Sequence, residues 1–341
     1  MGGLKTGRQM LTMLRALLLL APLVVAAQAP HTLSPQRIAE FKNLRFGMFV
    51  CWSFSTFSDK EWTPGIRDVS YFNPTGFDPG QWARVARRAG MKYMLLLTKH
   101  HDGFCLWDTR TTDRKVTRSP LKLDVVSRVR RACAREGLKL ALYFSEGDWN
   151  WPEAVDGASG KGGRNPEIKK AQLKELLTGY GPIEFIWFDH AVGDGGLSHK
   201  ETTEFVKSLQ PDCLVGYNHG EPSGDLRLGE MGYGSALDDV SGSGYNAKFA
   251  KGYSGYVAAE FTYPILGGNK RGTPYFGRWF FTTPEWENVV TPAEDIYRDY
   301  LQAAKHGNIF SLDVAPTRAG KLRPIDVRTL EKVGRHILTS F

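Results

Sequence analysis

The sequence has 341 residues, 42% of them hydrophobic, and a formal net charge of +8 at pH 7. That length accommodates one large α/β barrel or two ordinary domains. Basic residues are interspersed with acidic ones, and there is no Lys/Arg block and no nucleic-acid motif, so we predict a solvated surface rather than a nucleic-acid-binding one. The four cysteines are widely spaced without a C-x-x-C pair, which is compatible with one disulfide but predicts neither a disulfide framework nor a metal site: Cys51, Cys105, Cys133 and Cys213.

The N-terminus has the pattern of a secretory signal peptide. Lys5, Arg8 and Arg15 precede or enter the apolar run 16–27, and Ala27-Gln28-Ala29 is a small-x-small cleavage site. The run is too short to span a bilayer, and no later stretch reaches transmembrane length. We therefore predict a signal peptide at residues 1–29, a catalytic barrel at residues 30–341 and a secreted or periplasmic protein.

In the first half of the chain, strand and helix patterns alternate regularly. Asp78-Pro79 is a helix-start signal, and Gly90 and Gly137 are helix-stop signals. These signals and the apolar spacing predict helices at 35–42, 79–89, 123–136 and 166–177, and strands at 45–52, 92–98, 138–145 and 183–190.

The second half is less regular but continues the alternation. It predicts strands at 214–219, 256–262, 278–282 and 309–314, helices at 199–209, 292–306 and 325–338, and a glycine-rich segment at 220–255. Eight buried strands alternating with helices favour a single-domain, irregular (β/α)8 TIM-type barrel over a doubly wound sheet. No G-x-G-x-x-G or phosphate-binding loop follows a strand, so nucleotide binding lacks its usual anion site.

The most informative stretch is the predicted strand at 183–190. Phe185, Trp187 and Asp189 share one face of it, and the carboxylate comes where the strand should end. Active sites of parallel barrels lie at the carboxyl ends of the strands, so Asp189 is a candidate catalytic residue. The alternative is that Asp189 caps the glycine-rich turn that follows.

Three chemistries compete for the polar residues at the predicted strand ends. A metal hydrolase could use His100, His101, Asp189 and His219, but neighbouring histidines on a strand point to opposite faces and would share an ion only from a bent loop. A nucleophilic Cys51 lacks a nucleophile elbow, and a lone cysteine is usually a small buried hydrophobe. A glycosidase needs two carboxylates and aromatic sugar platforms, and it needs no metal.

Several motifs, in order, are shared with one family. They are Phe46-Gly-Met-Phe, Glu61-Trp62, the run Lys-His-His-Asp-Gly-Phe-Cys-Leu-Trp-Asp at 99–108, Gly-Leu-Lys-Leu-Ala-Leu-Tyr-Phe-Ser at 137–145, Ile-Trp-Phe-Asp at 186–189 and Gly-Asn-Ile at 307–309. In this combination the chain resembles the α-L-fucosidases of glycoside hydrolase family 29, over about residues 40–335, the family's catalytic barrel.

The resemblance implies a retaining exo-glycosidase that hydrolyses terminal α-L-fucosides of oligosaccharides or glycoconjugates without a metal or other cofactor. Asp189 matches the nucleophile. Glu230 is the expected acid/base, with Glu260 as its rival and Glu287 a distant third. The remaining expected pocket residues are His100, His101, Trp62, Tyr143 and Trp187, together with Trp52 and Asn218.

Two positions depart from the family pattern. Cys51 stands where many members have a histidine, and Asn218 or His219 stands where many have an arginine. Both changes fall in the expected sugar pocket. They leave open a related exo-glycosidase for another sugar, or a catalytically weak carbohydrate-binding barrel. The sequence predicts neither the linkage cleaved nor the oligomeric state.

Overall fold

Eight parallel strands form a closed barrel in the computed structural model, each paired with its neighbours in chain order and β8 paired with β1. The structure describes residues 1–2, 33–58, 60–154, 162–190, 194–242, 244–267, 278–281 and 284–339. The strands are β1 Phe46–Val50, β2 Tyr93–Lys99, β3 Lys139–Ser145, β4 Phe185–Asp189, β5 Leu214–Tyr217, β6 Leu226–Glu230, β7 Ala258–Pro264 and β8 Ile309–Asp313.

Helices surround most of the barrel. They are α1 Pro35–Lys42, the single turn α2 Ser55–Ser58, α3 Pro79–Arg88, α4 Val125–Glu136, α5 Pro166–Gly179, α6 His199–Leu209, α7 Ala293–Lys305 and α8 Pro324–Thr339. Among the described residues, β5 and β6 are not followed by an α-helix; the connection after β6 contains a short 3-10 helix at Gly244–Phe249. The carboxyl ends of β5 and β6 therefore continue into loops.

Local signals account for the regular elements. Asp78 Oδ1 accepts the backbone N–H of Gln81 at 2.9 Å and caps α3, and Gly137 ends α4 with φ of 67°. The strands of the first half are almost wholly buried, as expected where helices cover one face of a parallel sheet and side chains fill the other.

A polar layer crosses the barrel interior below the strand ends. The Tyr93 hydroxyl and Ser311 Oγ are 2.6 Å apart, and Trp187 Nε1 donates to Glu260 Oε2 at 3.0 Å. A Cβ at Gly47 would lie 2.3 Å from the Tyr93 ring, so only glycine fits there. This layer closes the barrel and forms the floor beneath its mouth.

The (β/α)8 prediction is confirmed, and seven of the predicted strands correspond to strands of the barrel. The prediction of a strand at 278–282 is wrong for residues 278–281, which form a bent, irregular stretch, while residue 282 lies outside the described residues. The sequence did not predict β6, which lies in the segment that was predicted to be glycine-rich. Glu230 thus ends a strand, and Glu260 lies within β7 rather than at a strand end.

Residues Leu33–Phe341 group into one compact unit. The predicted signal peptide lies almost entirely outside the described residues. Within the described part of the chain, no helix combines the length and apolar character needed to cross a bilayer. All four cysteines are buried and free.

Candidate active site

A cavity of about 210 Å³ lies at the carboxyl ends of the barrel strands. Seven residues predicted from the sequence line it: Trp62, His100, His101, Tyr143, Trp187, Asp189 and Glu230. They come from β3, β4, β6 and the loops after β1 and β2. Residues up to 168 positions apart in the chain are brought together because all of these strand ends open at the same mouth.

Asp189 is held in place by three hydrogen bonds. Its Oδ2 accepts the Tyr143 hydroxyl at 2.6 Å, and its Oδ1 accepts Asn218 Nδ2 and the backbone N–H of His190, both at 2.7 Å. These three hydrogen bonds fix the orientation of the carboxyl group. The side chain is 14% exposed, so the carboxylate remains accessible from the cavity.

Glu230 faces Asp189 across the cavity. One carboxylate oxygen of Glu230 lies within 4.8 Å of one carboxylate oxygen of Asp189. Burial and, to a lesser degree, the negative charge of Asp189 raise the pKa of Glu230 to about 8, while the hydrogen bond from Asn218 acts against both. At neutral pH, Glu230 is therefore mainly a carboxylic acid beside the carboxylate of Asp189. A carboxylic acid placed beside a second carboxyl group suits acid–base chemistry.

Asn218 connects the two acids from below. Its Nδ2 donates to Asp189 Oδ1 and to Glu230 Oε2, each at 2.7 Å, while the side chain is fully buried. Asn218 does not line the cavity wall. The structure gives it contacts with the two acids rather than the predicted position against a sugar.

His100 and His101 both line the cavity, although neighbours on a strand would point to opposite faces. They lie in the turn after β2, where their ring centroids are 4.1 Å apart and the ring planes are tilted by 35°. His101 Nδ1 contacts Ser145 Oγ at 2.6 Å, and its Nε2 lies 3.7 Å from Asp189 Oδ2. Burial lowers the pKa of both imidazoles, so they are neutral at pH 7 and each offers one donor and one acceptor.

Two further predicted residues lie away from the cavity. Trp52 is fully buried, stacks on Phe77 and donates its Nε1 hydrogen to the carbonyl of Thr317 at 3.0 Å. Its position under the loop after β1 gives it a packing role. Glu260 is fully buried in the floor beneath Trp187, and burial raises its pKa to about 7.

In the described part of the chain, the four residues predicted for a metal hydrolase do not together have the spacing of metal ligands. These residues are His100, His101, Asp189 and His219. Instead, Asp189, Glu230 and His219 have one oxygen or nitrogen each within 4.8 Å of one another, a spacing at which three side chains can share a cation. Asn218 presents an amide N–H donor to both carboxylates there, not a further oxygen ligand. We therefore interpret the cluster as an acid pair rather than a metal centre.

Cys51 lines the cavity, but its chemistry differs from that of a nucleophile. Burial and the neighbouring Asp313 raise the pKa of its thiol well above the usual value, so the thiol is protonated at neutral pH. The backbone N–H of Cys51 donates to Asp313 Oδ1 at 3.2 Å. Cys51 thus contributes a small, apolar surface to the cavity.

Several lining residues were not predicted as site residues. Glu61 was quoted only within a motif, yet its buried carboxyl lines the cavity, and burial raises its pKa to about 8 against the opposing effect of Arg278. Trp279 and Phe280 belong to the segment predicted as a strand. Tyr245 lies in the glycine-rich connection after β6, where no periodic pattern identifies it. In these irregular segments, aromatic residue types were the only feature of the sequence that could have identified the lining residues.

The known proteins to which this chain is similar are α-L-fucosidases and a glycoside hydrolase of family 29. The family model described as α-L-fucosidase matches residues 67–231. "Alpha-L-fucosidase 1" of Arabidopsis thaliana is 31% identical over 305 residues, which are 84% of this chain and 56% of that protein. A crystal structure of a glycoside hydrolase 29 family member from an unknown rumen bacterium has a TM-score of 0.73 and 28% identity, covering 89% of this chain and 57% of the other. These matches confirm the predicted resemblance to the α-L-fucosidases of glycoside hydrolase family 29.

Another solved member of this family, α-L-fucosidase isoenzyme 1 from Paenibacillus thiaminolyticus, has a TM-score of 0.72 and 25% identity, covering 89% of this chain and 75% of that one. The chain spans about half the length of the Arabidopsis relative. The matched residues of the family model run from the loop after β1 to the residue after β6 and so include both Asp189 and Glu230.

Proposed function

We propose that this barrel hydrolyses terminal α-L-fucosides with retention of configuration. The separation of the two acids is the observation that carries the proposal. Retaining glycosidases place their carboxyl groups about 5–5.5 Å apart, whereas inverting enzymes need roughly 6.5–9.5 Å to accommodate a water molecule. Asp189 and Glu230 have oxygens within 4.8 Å of each other, which supports the retaining class.

In the first step, an ionised Asp189 oxygen attacks the anomeric carbon as the bond to the leaving oxygen breaks. Protonated Glu230 gives its hydrogen to that oxygen, so the alcohol leaves neutral. In the second step, the Glu230 carboxylate takes a proton from water, and the resulting hydroxide attacks the anomeric carbon and displaces Asp189. The raised pKa of Glu230 suits the first role at neutral pH.

The cavity lining suits a deoxy sugar. His100 and His101 are neutral and offer hydrogen-bond donors and acceptors to ring hydroxyls. Phe49 and Trp279 form an aromatic wall of the cavity, with ring centroids 6.0 Å apart. This apolar wall can receive the methyl group of fucose. We also propose export of the protein, because the basic and apolar pattern of residues 1–29 is that of a signal peptide.

The direct test is release of 4-nitrophenol from 4-nitrophenyl α-L-fucoside by wild type and Asp189→Ala, both with EDTA. We expect turnover by wild type, a loss of several orders of magnitude in the variant, and α-L-fucose as the first product by NMR. A β-L-fucose first product would exclude the retaining mechanism. Activity lost on EDTA treatment would revive the metal hydrolase.

Glu230→Ala and Glu260→Ala separate the two acid/base candidates. With an activated aryl fucoside, added azide should restore turnover of Glu230→Ala by taking the place of the catalysed water, and it should not act on Glu260→Ala. Rescue of Glu260→Ala alone would reverse the assignment. A folded wild type that binds fucose without turnover would instead identify a carbohydrate-binding barrel, and turnover of another glycoside would show a changed sugar specificity.

A further inference from the structure

We infer that Asn246, a buried residue of the 3-10 helix after β6, is a positioning residue that orients the Asn218 amide toward the two acids. The inference deepens the proposed function, since it concerns the same acid pair. Asn246 is 1% exposed and does not line the cavity, so it acts only through its neighbours.

Two backbone groups determine the orientation of the Asn246 side-chain amide, because one can only accept a hydrogen bond and the other can only donate one. Its Nδ2 lies 2.9 Å from the carbonyl oxygen of Leu228, which can only accept, and its Oδ1 lies 3.4 Å from the backbone N–H of His219, which can only donate. An amide turned by 180° would place oxygen against oxygen and nitrogen against nitrogen. The amide of Asn246 therefore has one favourable orientation.

That orientation determines the orientation of Asn218. Asn246 Nδ2 also donates to Asn218 Oδ1 at 2.7 Å, so the oxygen of Asn218 is directed away from the acids. The two hydrogens of Asn218 Nδ2 then point at Asp189 Oδ1 and Glu230 Oε2. Without Asn246, the Asn218 amide can turn and present its oxygen to both carboxyl groups.

The chain is built to bring Asn246 close to the end of β6. Gly244 has φ of 70°, and a Cβ there would lie 1.9 Å from the carbonyl oxygen of Glu230. On the other side, His219 adopts φ of 70°, a conformation that is unfavourable for a residue with a side chain. Asn246 lies between these two segments, and its side chain forms hydrogen bonds with the backbone of Leu228 in β6 and with the backbone of His219 after β5.

The direction in which Asn218 points affects proton affinity. A hydrogen donated to Glu230 favours its carboxylate and so lowers its pKa, whereas an oxygen turned toward it would favour the protonated acid. The other titratable groups that face Glu230 come from several elements and stay in place in this comparison: Tyr143, Asp189, His219, Tyr245 and Glu260.

The test compares Asn246→Ala with a matched control, Asn308→Ala. Asn308 is equally buried and likewise joins a backbone carbonyl, that of Ser235, to a backbone N–H, that of Ala259, each at 2.8 Å. It contacts neither acid. Both substitutions remove a buried side chain that forms one hydrogen bond with a backbone carbonyl and one with a backbone N–H, so they should lower stability alike.

In Asn246→Ala we expect kcat/KM to fall roughly tenfold and the basic limb of its pH profile to move to higher pH, because the turned amide no longer donates to the Glu230 carboxylate. Asn308→Ala should keep the wild-type profile. In an Asn218→Ala background, Asn246→Ala should cause no additional shift, since its effect passes through Asn218. An unchanged profile, or equal shifts with and without Asn218, would overturn the inference.

A second readout needs no turnover. The protonated carboxyl of Glu230 can be followed by pH-difference infrared spectroscopy and assigned by its loss in Glu230→Gln. Its titration should move to higher pH in Asn246→Ala and stay in place in Asn308→Ala. The two hypotheses can fail separately. If wild type does not hydrolyse fucosides but the infrared shift is present, the proposed function fails and the inference stands. If wild type is active but the shift is absent, the inference fails and the proposed function stands. If Asn246→Ala does not fold, Asn246→Leu, which is of similar size but lacks the donor, takes its place.

Discussion

The Tyr143 hydroxyl donates to Asp189 Oδ2 at 2.6 Å, from a ring that stacks on Trp187 with centroids 5.4 Å apart. Burial and the charge of Asp189 raise the pKa of Tyr143 well above its usual value, so the hydroxyl keeps its hydrogen. Tyr143 and Trp187 are paired in register on neighbouring strands. Asp189, the proposed nucleophile, thus accepts this hydrogen bond from a residue of a rigid barrel strand rather than from a loop.

We predict that Tyr143→Phe lowers kcat about tenfold to hundredfold with little change in KM, because one charge-assisted hydrogen bond to the nucleophile is lost. The matched control is Tyr93→Phe, which removes an equally short, buried bond to Ser311 in the barrel floor. Steady-state kinetics on an aryl fucoside check both. Equal losses of kcat in the two variants would mean that barrel stability, not Asp189, is affected.

The pH dependence of kcat/KM should report Glu230. Its pKa of about 8 means that the acid form predominates below that pH and is lost above it. Activity should therefore fall as pH rises through about 8, and Glu230→Gln should abolish this basic limb when measured on an activated aryl fucoside. Glu61 has a similarly raised pKa, so Glu61→Gln is the control. A limb that persists in Glu230→Gln and vanishes in Glu61→Gln would assign it to Glu61.

Three buried carboxyl groups should make a contribution to the free energy of unfolding that decreases as the pH rises toward about 8. Burial raises the pKa of Glu61 and Glu230 to about 8 and that of Glu260 to about 7, above their values in an unfolded chain. The folded state then holds more protons than the unfolded state, so the stabilisation is complete below about pH 4.5 and is lost as pH rises toward about 8.

Glu260→Gln tests this relationship because glutamine can still accept the hydrogen bond from Trp187. We expect urea unfolding to show a pH dependence between pH 5 and 8 that is smaller in the variant, by on the order of 1–3 kcal/mol. Glu175→Gln, at a partly exposed carboxylate on α5, is a suitable comparison. A pH dependence identical in wild type and Glu260→Gln would contradict the assignment of a raised pKa to Glu260.

Tyr245 should affect binding of the leaving group. It lines the cavity, is 43% exposed, and lies near Glu230, where the aglycone departs. Tyr245→Ala should raise KM for a fucosylated disaccharide roughly two- to tenfold, the scale of one aromatic contact. Inhibition by free fucose should not change. Tyr253→Ala, at an exposed tyrosine outside the cavity, should leave both constants unchanged; the same rise there would argue against a specific contact.

The sequence predicted Asp189 because an uninterrupted apolar strand ended in a carboxylate, and the paired histidines because of the family motif. It did not predict β6, for a physical reason. Leu226-Arg227-Leu228-Gly229-Glu230 contains an arginine and a glycine, which are unusual in a buried strand. Arg227 is nevertheless fully buried, because its guanidinium lies over the Phe261 ring and donates to the carbonyl of Ala236.

Tertiary contacts likewise decide the roles of the remaining acids and aromatics. Glu260 and Glu230 look alike in sequence, yet one bonds to Trp187 in the floor and the other faces the cavity. Trp279 and Phe280 have the composition of a strand but pack across the mouth, in a segment whose conformation depends on distant neighbours. No local pattern distinguishes these cases.

The proposed acid/base side of the mouth lies on the two connections that have no α-helix among their described residues. Helix–sheet packing does not constrain the loops after β5 and β6, whereas Asp189 on β4 is flanked by α5 and α6. Substitutions at the exposed residues of the β6 connection can thus reshape the proposed leaving-group side, while its buried residues, among them Met231 and Phe249, are kept. For directed evolution of linkage preference or of transglycosylation, the segment 231–257 is the part of this molecule to diversify, with Gly244 and Asn246 kept constant.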